Sequence, residues 1–250
     1  MSLRFTFVVA SSPLFVAWVI PRANYMIKHK EKYSLEKRYK FAQFIMKHMR
    51  KREFTRTLVY GEENLPKKGG YVMYSNHQGK YDALGIFLSH KKQCSVLWEE
   101  KSADRILARQ VKGLLDGETI GFKDFKGQIR TLNKIAEQVA GGRRYLIFPE
   151  GGYKNNRNNL QEFKTGCFVS SIKSKTPIIP VAIYDSWKSM DTNNLKPVTT
   201  QVHFLQPILY EEYANLRKNE ICDMVKQRIK DKINELNRLG RCPEGGRYSN

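Results

Sequence analysis

A histidine and an aspartate five positions apart are the residues of this chain whose types and spacing can do chemistry. They lie in Ser75-Asn76-His77-Gln78-Gly79-Lys80-Tyr81-Asp82. The apolar residues 71–74 before them read as a short buried strand, and residues 83–88 after them as the start of a helix. Asp82 then sits at or near a helix N-terminus, where its charge is favourable. From there its carboxylate can turn back onto the imidazole of His77. A carboxylate on one ring nitrogen fixes the tautomer and leaves the other nitrogen free to take a proton. No serine or cysteine stands in a Gly-x-Ser-x-Gly context. A base at His77 therefore points to activation of a substrate hydroxyl. Taken alone, His-x4-Asp equally describes a histidine hydrogen-bonded within a loop.

Three further stretches carry chemistry. Phe148-Pro149-Glu150-Gly151-Gly152 ends an apolar run in a carboxylate and two glycines. Such a strand end puts an acid and backbone amides where open α/β sheets bind ligands, and glycine permits close backbone approach. Phe163-Lys164-Thr165-Gly166 is a small-residue turn or helix start that bears a cation. Ile178-Ile179-Pro180-Val181 is an apolar strand whose proline is expected at a sheet edge or strand end.

The elements that must position these residues alternate. Apolar runs predict strands over 57–61, 71–74, 94–98, 118–122, 145–148, 177–183 and 202–205. Helical spacing predicts helices over 103–114, 129–139 and 163–172, with a long amphipathic C-terminal region over 210–239. Gly141-Gly142 closes the second of these. The pattern predicts an α/β fold: a mixed, largely parallel sheet flanked by helices, with an N-terminal membrane-docking helical segment. Residues 1–56 form that anchor and a basic amphipathic helix, residues 57–239 the α/β domain, and residues 240–250 a disordered tail.

The N-terminal reading rests on two features. Residues 5–20 are almost wholly apolar, are interrupted at Pro13, and are shorter than the ~20 residues a spanning helix needs. They are expected to enter and leave one leaflet, with Trp18 near the interface. A core helix of a soluble domain is the competing reading. Residues 28–56 are heavily basic, and Leu35, Tyr39, Ala42, Met46 and Met49 make an apolar stripe behind an N-cap at Ser34. Such a helix suits anionic lipid, or its stripe packs on its own domain.

The net charge of +20 implies a polyanionic partner. No nucleic-acid motif is present, and the apolar N-terminus favours a membrane surface over nucleic acid. Cys94, Cys167, Cys222 and Cys242 are scattered, with no metal-ligand spacing, so reduced thiols and no metal are expected.

Asn-His-x4-Asp, Phe-Pro-Glu-Gly, Phe-Lys-Thr-Gly and Ile-Pro-Val, in this order and spacing, resemble the glycerolipid acyltransferase family, in particular its 1-acylglycerol-3-phosphate (lysophosphatidic acid) acyltransferases. The resemblance covers residues 71–183 with motifs. It implies transfer of a fatty acyl group from acyl-CoA or acyl-carrier protein to a lysophospholipid hydroxyl at the cytoplasmic face of a membrane, with no further cofactor. It implies a catalytic pair at His77 and Asp82 and acceptor binding at Glu150 and Gly151. Asn76, Lys123, Gly152 and Lys164 complete the expected substrate contacts. Two arginines common in the family are absent: residues 117–124 hold none, and Tyr153 stands where Glu-Gly-Thr-Arg has its arginine. Lysine cannot reproduce the bidentate fork of arginine on phosphate. An acyltransferase acting on another lysolipid is therefore the main alternative. A non-catalytic membrane lipid-binding protein is the alternative of another class, and the presence of both His77 and Asp82 speaks against it.

Overall fold

A computed structural model describes residues 3–103, 106–121, 123–240 and 242–249, with the side chains of Phe5 and Val9 outside the description. Three N-terminal helices, α1 (Leu3–Ala10), α2 (Pro13–Lys28) and α3 (Leu35–Arg52), lead into strand β1 (Thr55–Tyr60). Then come β2 (Tyr71–Ser75), α4 (Asp82–Ser89), β3 (Ser95–Glu99), α5 (Glu100–Ala103), α6 (Ala108–Leu114), β4 (Glu118–Ile120), α7 (Phe125–Ala140) and β5 (Arg144–Ile147). The chain continues with α8 (Val169–Ser174), β6 (Ile178–Tyr184), β7 (Val198–Phe204), α9 (Tyr210–Tyr213), α10 (Lys218–Leu239) and β8 (Arg247–Tyr248).

The strands form one sheet in the order β4-β3-β5-β2-β6-β7-β1-β8. β2 runs parallel to β5 and β6, and β3 parallel to β4 and β5. β6 and β7 are antiparallel, as are β1 and β8. The fold is thus a mixed, largely parallel α/β sheet flanked by helices.

The central strands are apolar on both faces because helices cover both. On β2, Tyr71 and Met73 enter one core while Val72 and Tyr74 enter the other. The first core takes Val19, Ala23 and Met26 of α2, Tyr39, Ala42, Ile45 and Met46 of α3, and Ile86 and Phe87 of α4. The second takes Ile135 and Val139 of α7 and Ile221, Val225 and Ile229 of α10. Each Val, Ile, Met or Phe among them contributes roughly 1.5–3 kcal/mol when fully buried. Uninterrupted apolar runs along the central strands and 3.6-residue periodicity along the helices are what make this two-sided burial legible in the sequence.

Several expectations change. The apolar residues near the N-terminus form two helices broken at Ser11–Ser12, and among the described residues no helix is long and apolar enough to cross a membrane. Of the α3 stripe, Tyr39, Ala42, Met46 and Met49 join the first core, the second of the two readings offered for this helix. Ser34 caps it, its Oγ accepting from the Lys37 N–H at 3.3 Å. Arg38, expected on the basic surface, is 4% exposed and forks onto both oxygens of Asp116 at 2.7 Å. The helix expected over 103–114 divides into α5 and α6, and residues 104 and 105 lie outside the described residues, as does Phe122 of the strand expected over 118–122.

Pro180 lies in a central strand, not at an edge or end. Its carbonyl accepts from Leu205 N–H at 2.9 Å, just past the end of β7, while pairing with β7 begins at Val181. The proline nitrogen faces that same side, where no ladder acceptor needs it. The segment after Gly240, expected to be disordered, instead supplies β8 against β1. Arg50 holds it by donating to the Ser249 carbonyl at 2.7 Å, and Arg247 pairs with Glu62.

Candidate active site

The parallel strands β3, β5, β2 and β6 all end at the same edge of the sheet, and the motif residues follow three of them. His77 follows β2, Phe148 to Gly152 follow β5, and Asp185 and Ser186 follow β6. The carboxyl ends of parallel strands are where this architecture leaves a crevice.

At that edge His77 Nδ1 meets Asp82 Oδ2 at 2.6 Å. Asp82 is the first residue of α4 and is fully buried as a side chain, whereas the His77 side chain is 19% exposed. The helix N-terminus offsets the cost of burying a carboxylate. So do the Gln78 and Gly79 backbone N–H groups, which donate to Oδ2 at 2.5 and 2.9 Å. The Ser186 hydroxyl donates to Oδ1 at 2.5 Å. Both carboxylate oxygens are thereby engaged, and the imidazole keeps Nε2 for chemistry. The ring is held from the sides, stacked on Phe148 at 4.3 Å between centroids and met edge-on by Tyr153 at 4.8 Å.

His77 opens into a cavity of about 560 Å³, a volume typical of small-molecule sites. Most of its wall is apolar, with Met46, Leu84, Phe87, Val96, Leu107 and Val111 among the lining residues. Cations and polar groups cluster in the remainder: Lys80, Lys164, Glu99 and Gln128. Lys80 is paired to Asp191. Burial pulls the Lys164 ammonium below its ordinary value, and the nearby Glu99 opposes that pull. The site thus joins a His–Asp pair, a largely apolar volume and a few charged side chains.

The structure distributes the other expected site residues unevenly. Gly151, Gly152 and Lys164 line the cavity. Gly151 has φ +69°, a conformation that favours glycine at this bend. Glu150 is 7% exposed and turns behind the site: Oε1 accepts from His77 N–H at 3.2 Å and Oε2 from Gln161 Nε2 at 2.6 Å. Burial pushes its carboxyl up to about 7. It therefore braces the histidine loop and is not among the residues lining the cavity. Asn76, also expected to touch substrate, is fully buried, with both amide atoms on the Ile183 backbone at 2.9 and 3.0 Å. It clips the histidine loop to the end of β6. Lys123 is exposed and is not among the residues lining the cavity.

Sequence reasoning passed over Gln78, Asn156, Asn158, Gln161 and Ser186. Gln78 Nε2 donates to Ile183 O and Asn158 Oδ1, both at 3.0 Å, and Asn156 Nδ2 to His77 O at 3.0 Å. The one available signal was amide side chains concentrated in the loops that follow the motif strands. Among the described residues no group of three or more His, Cys, Asp or Glu is placed to hold a metal ion.

Fold and site together define an α/β protein with a His–Asp pair at the mouth of a largely apolar cavity. A family model described as Acyltransferase matches residues 56–184. The chain belongs to that acyltransferase family. It is similar to 1-acyl-sn-glycerol-3-phosphate acyltransferase alpha of Mus musculus, with 26% identity over 166 residues, 62% of this chain and 56% of the mouse protein. The chain thus spans little more than half the length of that relative. Against the Homo sapiens protein of the same name it is 24% identical over 218 residues, 84% of this chain and 74% of the human one. Among solved structures, the 1-acyl-sn-glycerophosphate (LPA) acyltransferase PlsC of Thermotoga maritima shares the fold. The TM-score is 0.74 at 19% identity, over 97% of this chain and 96% of that one.

Proposed function

We propose that this acyltransferase is membrane-associated and moves a fatty acyl group from acyl-CoA or an acyl-carrier protein to the free hydroxyl of a lysophospholipid. The names of its relatives favour 1-acylglycerol-3-phosphate as acceptor, giving phosphatidic acid. The observation that carries the reading is His77 locked through Nδ1 to a buried carboxylate at the mouth of a largely apolar cavity.

In this reading Nε2 of His77 takes the proton of the acceptor hydroxyl as its oxygen attacks the thioester carbonyl carbon. Asp82 stabilises the imidazolium that forms. The tetrahedral intermediate collapses, the carbon–sulfur bond breaks, and the thiolate takes the proton back from Nε2. The apolar cavity wall suits the acyl chain, and Lys164 brings a cation to the same cavity for an acceptor phosphate.

The exposed side chains of the N-terminal region support docking on a membrane surface. Leu3, Leu14, Trp18, Tyr25, Phe44 and Phe54 are large apolar side chains left exposed. Trp18 packs edge-on against Phe41 and Phe44 at 5.9 and 6.1 Å, in a shallow groove rimmed by Arg22, Lys37 and Lys40. Aromatic residues beside cations suit the boundary between acyl chains and anionic headgroups.

Tyr153 favours a second reading in which the same chemistry serves another lysolipid, because a ring against His77 replaces the family's arginine. The test is a panel of lysolipids that differ in headgroup, offered with acyl-CoA and with acyl-carrier protein. Preference for 1-acylglycerol-3-phosphate supports the first reading, preference for another headgroup the second, and acylation of none refutes both.

A further inference from the structure

We propose that Ser186 is a positioning residue of the His77–Asp82 pair, its hydroxyl fixing the carboxylate that aims the imidazole into the cavity. The proposal rests on the acyl-transfer reading above. Ser186 is 2% exposed and donates to Asp82 Oδ1 at 2.5 Å from a segment distant in sequence. The three N–H donors on Asp82, from His77 Nδ1, Gln78 and Gly79, all address Oδ2. Among the described residues the Ser186 hydroxyl is the hydrogen-bond partner of Oδ1. Without it, that oxygen would be a buried, unsatisfied anion, free to swing away from its present plane.

The placement of Ser186 is itself constructed. The chain leaves β6, takes a left-handed step at Asp185 with φ +59°, and opens a tight turn at Ser186. The Ser186 N–H donates to Gln78 Oε1 at 3.0 Å. Gln78 Nε2 in turn donates to Ile183 O and Asn158 Oδ1, and the same Asn158 Oδ1 accepts from Asp185 N–H at 2.9 Å. The loop that carries His77 therefore also sets the serine that braces Asp82. Of the other charged groups packed around the pair, Lys80 pairs with Asp191 and Lys188 with Asp185 at 2.7 Å, while Glu150 accepts from the His77 N–H and from Gln161 in both wild type and variant.

Loss of the hydroxyl misplaces the base and concentrates the Asp82 charge on the imidazolium. Both effects act on turnover, and the second moves the acid limb of the pH profile to higher pH. The experiment compares wild type with Ser186→Ala, Ser186→Cys and His77→Ala. It reads kcat, acceptor KM, the pH dependence of kcat/KM and thermal unfolding. Expected is a fall in kcat of about tenfold or more for Ser186→Ala, an unchanged KM, and an acid limb displaced upward. Ser186→Cys, a weaker donor of similar size, falls between and carries the comparison if the alanine variant does not fold. Variants with wild-type kcat and an unmoved acid limb overturn the assignment, as does a loss confined to KM or to the folded fraction. With His77→Ala inactive, those results remove only the Ser186 assignment. Full activity of His77→Ala removes the reading beneath it.

Discussion

Replacing Asp82 with asparagine separates the charge of this residue from its shape. The carboxylate accepts three N–H donors on Oδ2 and one O–H donor on Oδ1. An asparagine placed with its oxygen at Oδ2 keeps the three N–H contacts. Its amide then faces the Ser186 hydroxyl, which can turn to accept. The hydrogen-bond frame survives, and the fold should survive with it. What disappears is a negative charge beside the imidazolium that, in the mechanism proposed above, forms when His77 takes the substrate proton. Charges about 4 Å apart at an effective dielectric of about 20 interact by roughly 4 kcal/mol. A share of that is felt only in the transition state, so kcat should fall by roughly 10²–10³-fold. Steady-state acyl transfer, followed by thiol release from acyl-CoA, measures it, with circular dichroism to establish folding. KM for the acceptor should hold, because Asp82 has no exposed side-chain surface for a ligand to touch. A folded Asp82→Asn enzyme within about tenfold of wild type refutes the role given to the carboxylate.

Two further outcomes follow from the site. The Glu150 carboxyl is raised from 4.5 to about 7 by burial, so the folded protein holds that proton more tightly than the unfolded chain. The stability it contributes is complete below about pH 4.5 and is lost as pH rises through about 7. The difference is up to roughly 3 kcal/mol. Chemical denaturation of wild type and Glu150→Gln across this range should show wild type losing ground to the variant as pH rises, and a flat difference contradicts the burial argument. In the cavity, Val111→Phe adds bulk to the apolar wall and should narrow the donor range toward shorter acyl chains. Each excluded methylene is worth about 0.8 kcal/mol, roughly fourfold in kcat/KM. Competition among acyl-CoA donors of graded length reads it, and an equal loss at every length contradicts the assignment of this wall to the acyl chain.

The sheet was readable because the central strands carry uninterrupted apolar runs such as Tyr71 to Tyr74, and helices such as α7 keep strict spacing through Ile135, Ala136 and Val139. Pro180 misled because its tolerance depends on where a neighbouring strand ends, which is a matter of topology and not of local propensity. Arg38 misled because its partner, Asp116, lies far along the chain. The chemical pair His77 and Asp82 was legible from local spacing. The roles of Asn76 and Glu150 were not, because Asn76 is consumed by the Ile183 backbone of β6 and Glu150 by the His77 N–H after β2 and by Gln161. Sequence order brought the motifs into one list, but the parallel registers of β2, β5 and β6 decide which side chains face the cavity and which face one another.

The most direct test of the central claim is product analysis by mass spectrometry on a mixed lysolipid pool with an acyl donor, comparing wild type and His77→Ala. The account predicts diacyl products from wild type, none above background from His77→Ala, and the same binding of both proteins to anionic vesicles. Diacyl products from a folded His77→Ala protein, or none from wild type with any acceptor and donor, contradict it.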